Sequence, residues 1–204
     1  TYDNQPNDRS ILLEGGDLLV ARQDILVVGN GMRTTSQGVD LLINRLSKSA
    51  PEGKSYILVQ QLPSSPESFI HLDMVFTFLD VDKCMVFEPL ILGDHQYGTI
   101  QVTLDNGKVE KIRRVPGLVT ALRRLGMDLE PVVCGGTDEW DQEREQWHSG
   151  ANFFAFAPGK VISYARNVHT LNEMSKYGFE IVTADDVCSG KVSIKKTPRC
   201  VVTI

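Results

Sequence analysis

The chain has 204 residues, long enough for one domain with a sizeable core. Hydrophobic residues make up 42% and charged residues 23%, an ordinary globular balance, and a net charge of −5 argues against a nucleic-acid-binding protein, which carries a basic face. No apolar run reaches membrane-spanning length and no basic segment precedes an apolar stretch, so neither a membrane span nor a secretory segment is expected.

In chain order, Leu18–Ala21 is a short apolar run, Gln23-Asp24 a turn and Ile25–Val28 a second run. After Gly29-Asn30-Gly31 come Arg33 and Thr34-Thr35, two residues suited to cap a helix. The helix follows, with Val39, Leu42, Ile43 and Leu46 at three and four spacing; Gly53 ends it, and Tyr56–Val59 reads as a strand. The order returns in the middle: a strand over Phe69–Phe78, a turn at Asp80–Asp82, a strand over Cys84–Phe87, a polar interruption around 93–111, a helix over Leu118–Leu125 closed by Gly126, and a strand over Leu129–Val133. It returns once more near the end as Phe153–Phe156, Pro158-Gly159, Val161–Tyr164, a helix ending before Gly178, and Phe179–Val182. Three strand–strand–helix–strand units imply an α/β (α+β) protein with repeated packing of sheets and helices; the alternative is an ordinary α/β domain whose units look alike by chance. The charge run Asp138–Glu145 reads as a solvated helix face with Trp147 turned to the core.

Four cysteines, Cys84, Cys134, Cys188 and Cys200, show no C-x-x-C pairing and no zinc-ligand spacing, so neither a metal nor a disulfide scaffold is expected, and reduced thiols in cytoplasm are the default. Cys200 stands out because Lys195, Lys196 and Arg199 precede it, and nearby cations lower a thiol's pKa. The alternative is an inert core thiol, the reading given to Cys84, Cys134 and Cys188. On the predicted strand His71 and Asp73, two apart, share one face, which would put a proton carrier and an anionic anchor in one cavity. Glu14-Gly15-Gly16-Asp17 sets two glycines, which permit close backbone approach, between two acids. Arg33, at a loop-to-helix junction, can clamp a carboxylate. Gly29-Asn30-Gly31 lacks the third glycine of a dinucleotide fingerprint.

The segments LEGGDLL (13–19), GMRTT (31–35), FIHLDMVFTFLD (69–80), GGTDEWDQEREQW (135–147), GANFFAFAPGKVISYARNVHT (150–170) and PRC (198–200) resemble, in order, those of the arginine deiminase family of guanidine-modifying enzymes. The resemblance implies the pentein fold, a propeller of five ββαβ modules around a central substrate pocket. Residues 1–204 would form a single partial pentein domain of about three modules, the C-terminal portion of a longer protein. It implies hydrolysis of arginine to citrulline and ammonia without metal or cofactor. Cys200 would be the nucleophile and His71 the proton carrier, Glu14 and Asp73 would hold the guanidinium, and Arg33 the substrate carboxylate. A small guanidine would be the partner, with no nucleic acid and no membrane.

The chain departs from the family pattern twice. Family members are about twice as long, and only Thr1–Leu13 precede Glu14 here, with no counterpart of an upstream guanidinium-binding aspartate. The family's glycine-rich loop before the cysteine reads Lys195-Lys196-Thr197-Pro198-Arg199. The expectations are therefore an open ring that is homo-oligomeric or marginally stable alone, little citrulline from arginine, and a Cys200 more reactive than the other three thiols. Two alternatives stand beside the hydrolase: an amidinotransferase of the same superfamily, in which an amine replaces water, and a non-catalytic pentein binding module.

Overall fold

Each of the three sequence units becomes strand–strand–helix–strand in the computed structural model, which describes residues 11–49, 52–93 and 97–204. After a 3-10 turn at Gly15–Asp17, the first unit is β1 (Leu18–Arg22), β2 (Ile25–Asn30), α1 (Ser36–Ser49) and β3 (Lys54–Gln61). The second has β4 (Phe76–Phe78), β5 (Lys83–Val86), a short α2 (Glu88–Ile91), the hairpin β6 (Thr99–Asp105) and β7 (Lys108–Val115), then α3 (Leu118–Arg124) and β8 (Glu130–Val133). After α4 (Glu139–Trp147), the third is β9 (Phe154–Ala157), β10 (Lys160–Ser163), α5 (Val168–Lys176) and β11 (Glu180–Thr183), followed by α6 (Ala184–Cys188) and β12 (Cys200–Thr203). The protein is thus mixed α/β with recurring ββαβ modules, the module type expected of a pentein.

The chain divides into two compact units, one running to Leu72 and including Tyr97–Val115, the other holding Asp73–Gln96 and Pro116–Ile204. In the first, five strands lie in the order β1-β2-β3-β6-β7, with β2 and β3 parallel. Val27 and Val28 of β2 are both buried, so the strand is covered on both faces, which is why it reads as a continuous apolar run. Val39 and Ile43 of α1 pack on Val28, Ile57, Val59, Val102 and Leu104, with Leu42 and Leu46 at the margin. These are the helical positions expected from spacing. The helix starts where Thr35 Oγ1 accepts the Gly38 N–H at 3.2 Å, a side-chain cap.

The polar stretch around 93–111 does interrupt the second module, and it does so as a structured insertion belonging to the first unit's sheet. Residues 94–96 lie outside the described part, but 99–115 form a hairpin whose first strand pairs antiparallel with β3, Lys54 opposite Asp105 through Gln60 opposite Thr99. Its outer strand β7, KVEKIRRV, is the sheet edge, and its charges disfavour pairing with another chain.

The second unit has two sheets, β4-β5-β8 and β11-β12-β10-β9. Its core joins Leu79, Met85, Val132, Ala151 and Phe153 to Val161, Leu171, Met174, Phe179 and Val201. The last strand, β12, lies between β10 and β11 and is parallel to both. In the first two modules the corresponding strands, β2 with β3 and β5 with β8, pair directly.

The charge run of α4 is not simply a solvated face. Gln142, Glu145 and Gln146 are buried, whereas Trp147 is 57% exposed rather than turned to the core. Cys188, read as a structural thiol, is exposed at the end of α6. No helix among the described residues is long and apolar enough to cross a membrane.

Candidate active site

In the first unit Glu14 ends an extended segment just before the 3-10 turn Gly15–Asp17. His71 lies in the bend between the 3-10 turns Glu67–Phe69 and Leu72–Met74. Its Nε2 is 2.7 Å from Glu14 Oε2. Glycine makes this approach possible at position 16, where a Cβ would come within 2.8 Å of the His71 ring. The other carboxylate oxygen of Glu14 is 3.5 Å from Arg33 Nη1. The His71 hydrogen bond, and less strongly the charge of Arg33, hold the Glu14 carboxyl below its ordinary range against a desolvation contribution. The three residues therefore form one hydrogen-bonded cluster of imidazole, carboxylate and guanidinium. Arg33, expected to hold a substrate carboxylate, reaches Glu14 here.

The strand expected over 69–78 is only β4, Phe76–Phe78. Leu72–Met74 is a 3-10 turn, so strand alternation does not place His71 and Asp73 on a common face. The physical reason lies at Asp17. Its buried Oδ1 accepts the Leu72 N–H at 2.8 Å, which draws that amide away from any strand ladder and seats Leu72 in the interior. A side chain at position 29 would collide with the same oxygen, which explains Gly29 without any nucleotide. Asp17 is a structural residue beside the candidate site whose role sequence reasoning passed over, although the Glu-Gly-Gly-Asp motif contains it.

Asp17→Ala leaves the Leu72 amide buried without its acceptor and is expected to cost about 1–3 kcal/mol in urea denaturation. Asp17→Asn keeps an acceptor and should cost less. Burial raises the Asp17 pKa, so its ionised form is disfavoured in the fold. Wild type should therefore lose stability relative to Asp17→Asn as pH rises through that raised value, since the native state holds the proton longer than the unfolded chain. A difference between the two that is independent of pH would contradict this.

In the second unit Asp73 sits in the 3-10 turn, half-buried, its carbonyl accepting from Asn152 Nδ2 at 3.2 Å. Cys200 is the first residue of β12, fully buried, with its N–H donating to Gly159 O at 2.8 Å. The cations expected to activate it do not. Lys195 and Lys196 are exposed. Arg199 Nε is 2.6 Å from Asp80 Oδ2 and its Nη2 is 2.6 Å from Asp82 Oδ1, so two carboxylates take up its charge. Burial pushes the Cys200 thiol up, Lys160 pulls it down, and Glu180 pushes it up. Of the sequence neighbours expected to activate the thiol, Arg199 is thus ion-paired and Lys195 and Lys196 are exposed, and Cys188 is the exposed thiol of the four. Cys84 and Cys134 are buried, as expected of structural thiols, and desolvation pushes each up to about 12. Among the described residues, no group of three or more His, Cys, Asp or Glu side chains is placed to hold a metal ion.

A family model described as arginine deiminase matches residues 2–195. The chain is 34% identical over 190 residues to an arginine deiminase of Mycoplasma capricolum, covering 92% of this chain and 45% of that protein. To an arginine deiminase of Clostridium perfringens it is 32% identical over 196 residues, covering 95% and 46%. The chain thus spans about half the length of the relatives it matches. Among solved structures, an apo arginine dihydrolase from the ornithine-ammonia cycle in cyanobacteria gives a TM-score of 0.47 at 15% identity, over 81% of this chain and 20% of that one. A saxitoxin-pathway amidinotransferase from Microseira wollei gives 0.45 at 14%, over 81% and 39%.

Proposed function

The chain belongs to the arginine deiminase family, and from that premise we propose that it is a guanidine hydrolase converting arginine, or a close relative of it, to citrulline and ammonia. The observation that carries this reading is the 2.7 Å pairing of His71 with Glu14. An imidazole held by a carboxylate that stays ionised is a proton carrier matched to a cationic substrate.

In this reading the Cys200 thiolate attacks the guanidinium carbon and forms a C–S bond. His71 protonates the departing nitrogen, the C–N bond breaks and ammonia leaves a thiouronium. His71 then takes a proton from water, the hydroxide adds to the same carbon, and the C–S bond breaks to return the thiolate while the remaining hydroxyl proton passes to solvent, releasing the neutral ureido product. Glu14 and Asp73 offset the guanidinium charge, and Arg33 holds the substrate carboxylate, exchanging its present partner Glu14 for it.

The test is a pair of alkylators, cationic chloroacetamidine and neutral chloroacetamide, mapped by peptide mass spectrometry on the 204-residue chain. The cation-to-neutral rate ratio at Cys200 should exceed the ratio at exposed Cys188. Glu14→Gln and Asp73→Asn should each lower it about tenfold, the factor for about 1.4 kcal/mol. Equal ratios at the two thiols would sink the reading. Citrulline assays with and without an acceptor amine then separate hydrolysis from amidino transfer.

A further inference from the structure

Three parallel strands place one row of side chains across the sheet. Lys160 opens β10, Cys200 opens β12 and Glu180 opens β11, and the register pairs Lys160 with Cys200 and Glu180 with Cys200. Register partners on neighbouring parallel strands point to the same face. The row therefore reads cation, thiol, carboxylate. The outer partner of Lys160, Ala157 on β9, adds no charge.

The Lys160 ammonium is held in place. Its Nζ donates to Thr197 O at 2.7 Å and to Ile194 O, both carbonyls of the segment leading into Cys200. Those carbonyls are neutral, so they fix the ammonium without cancelling its charge. The other cations of the neighbourhood are accounted for: Arg199 is bound by Asp80 and Asp82, and Lys195 and Lys196 are exposed.

We infer that Lys160 is a positioning residue for the Cys200 thiol, its fixed ammonium favouring the thiolate from one flanking strand while Glu180 opposes it from the other. This deepens the reading of Cys200 as nucleophile and rests on it for its meaning, but thiol ionisation is measurable without any guanidine. Burial raises the Cys200 thiol on balance, and against that background Lys160 lowers it while Glu180 raises it. The effect is invisible in the linear sequence because Lys160 lies forty positions before the thiol.

The experiment follows the pH dependence of iodoacetamide alkylation at Cys200 in a Cys188→Ser background, which leaves the row untouched. Lys160→Met should move the rate profile to higher pH and slow labelling at fixed pH about tenfold, the factor for one pKa unit. Glu180→Gln should move it the other way and accelerate labelling. Lys160→Arg should stay near the parent, because it keeps the charge. Opposite displacements cannot arise from a shared loosening of the sheet, which would expose the thiol and accelerate labelling in both variants. If Lys160→Met fails to fold, Glu180→Gln decides alone: acceleration with an unchanged melting temperature supports the inference, and an unchanged profile overturns it. Opposite displacements together with equal alkylator ratios in the amidinium test would retain this inference while discarding the guanidine reading.

Discussion

Glu145→Ala is expected to destabilise the second unit by about 2–4 kcal/mol, read as a lower urea midpoint at unchanged slope. Helix α5 begins at Val168, and its N-cap residue, Asn167, makes no side-chain cap bond. Glu145, on α4, does that work from outside. Its fully buried carboxylate accepts the His169 N–H at 2.9 Å, the Thr170 N–H at 2.7 Å and the Thr170 hydroxyl at 2.7 Å. Two first-turn amides are thereby satisfied, and a negative charge sits at the positive end of the helix. Thr170 Oγ1 in turn accepts the Gly135 N–H at 2.8 Å, which ties the turn after β8 into the same network. Alanine leaves the two Thr170 donors buried, and the His169 N–H part-buried, without acceptors and opens a cavity. Glu145→Gln keeps one oxygen but turns an NH2 toward donors, so it should recover only part of the loss. A cost under about 0.5 kcal/mol for Glu145→Ala, the range of ordinary surface changes, would show that the network carries no weight.

That glutamate marks one limit of what the sequence reveals. A run of charges such as Asp138–Glu145 looks solvated because charged residues are almost never fully buried unless paired, and apart from the adjacent Arg144 the partners of Glu145 are the His169 and Thr170 amides and the Thr170 hydroxyl some 24 positions away. Elements whose signal is local were legible: α1 through the spacing of Val39, Leu42, Ile43 and Leu46 and the cap at Thr35, and the strand pairs around Gln23-Asp24 and Pro158-Gly159 through apolar runs flanking a turn. Elements whose reason is distant were not. β6 and β7 look polar because β7 is an edge and Thr99, Gln101 and Thr103 are buried polar residues, with Gln60 on β3 accepting from Thr99. The segment 70–79 carries a strand-like composition, yet one hydrogen bond from the Leu72 N–H to Asp17 ends strand alternation before Asp73. The charge near Cys200 was misassigned for the same reason. Sequence neighbours Lys195, Lys196 and Arg199 suggested an activated thiol, but the ion pairs of Arg199 and the register partner Lys160 decide the field. Of the candidate site, Glu14, His71 and Arg33 come together as a cluster though they are up to 57 positions apart, and only the family pattern pointed to them jointly.

His71→Ala is expected to lower kcat/KM for the guanidine substrate by about 100- to 10,000-fold, the range for losing a positioned proton carrier. The proposed mechanism uses the imidazole twice, once to protonate the leaving nitrogen and once to deprotonate water, so no second group compensates. Glu14→Gln should also be severe, because the amide cannot both accept from Nε2 and stabilise an imidazolium. The two residues touch at 2.7 Å, so their losses should not add. The double variant should fall below His71→Ala by less than the full Glu14→Gln loss, since the part of that loss that comes from orienting the imidazole is already gone while the charge contact with the guanidinium is not. Fully additive losses would mean that Glu14 acts on substrate independently of His71. The pH dependence carries a sign as well. The Glu14 carboxyl is held below its ordinary range, first by the His71 hydrogen bond. The pair therefore persists as pH falls through the usual carboxylate range and is lost only as pH passes through the depressed value. The acid limb of wild-type activity assigned to Glu14 should lie below about 4.3, the ordinary value for glutamate, and it should vanish in Glu14→Gln, which resembles the protonated state at every pH. An acid limb of unchanged position in Glu14→Gln would assign that limb to another group and remove Glu14 from the proton-transfer pair.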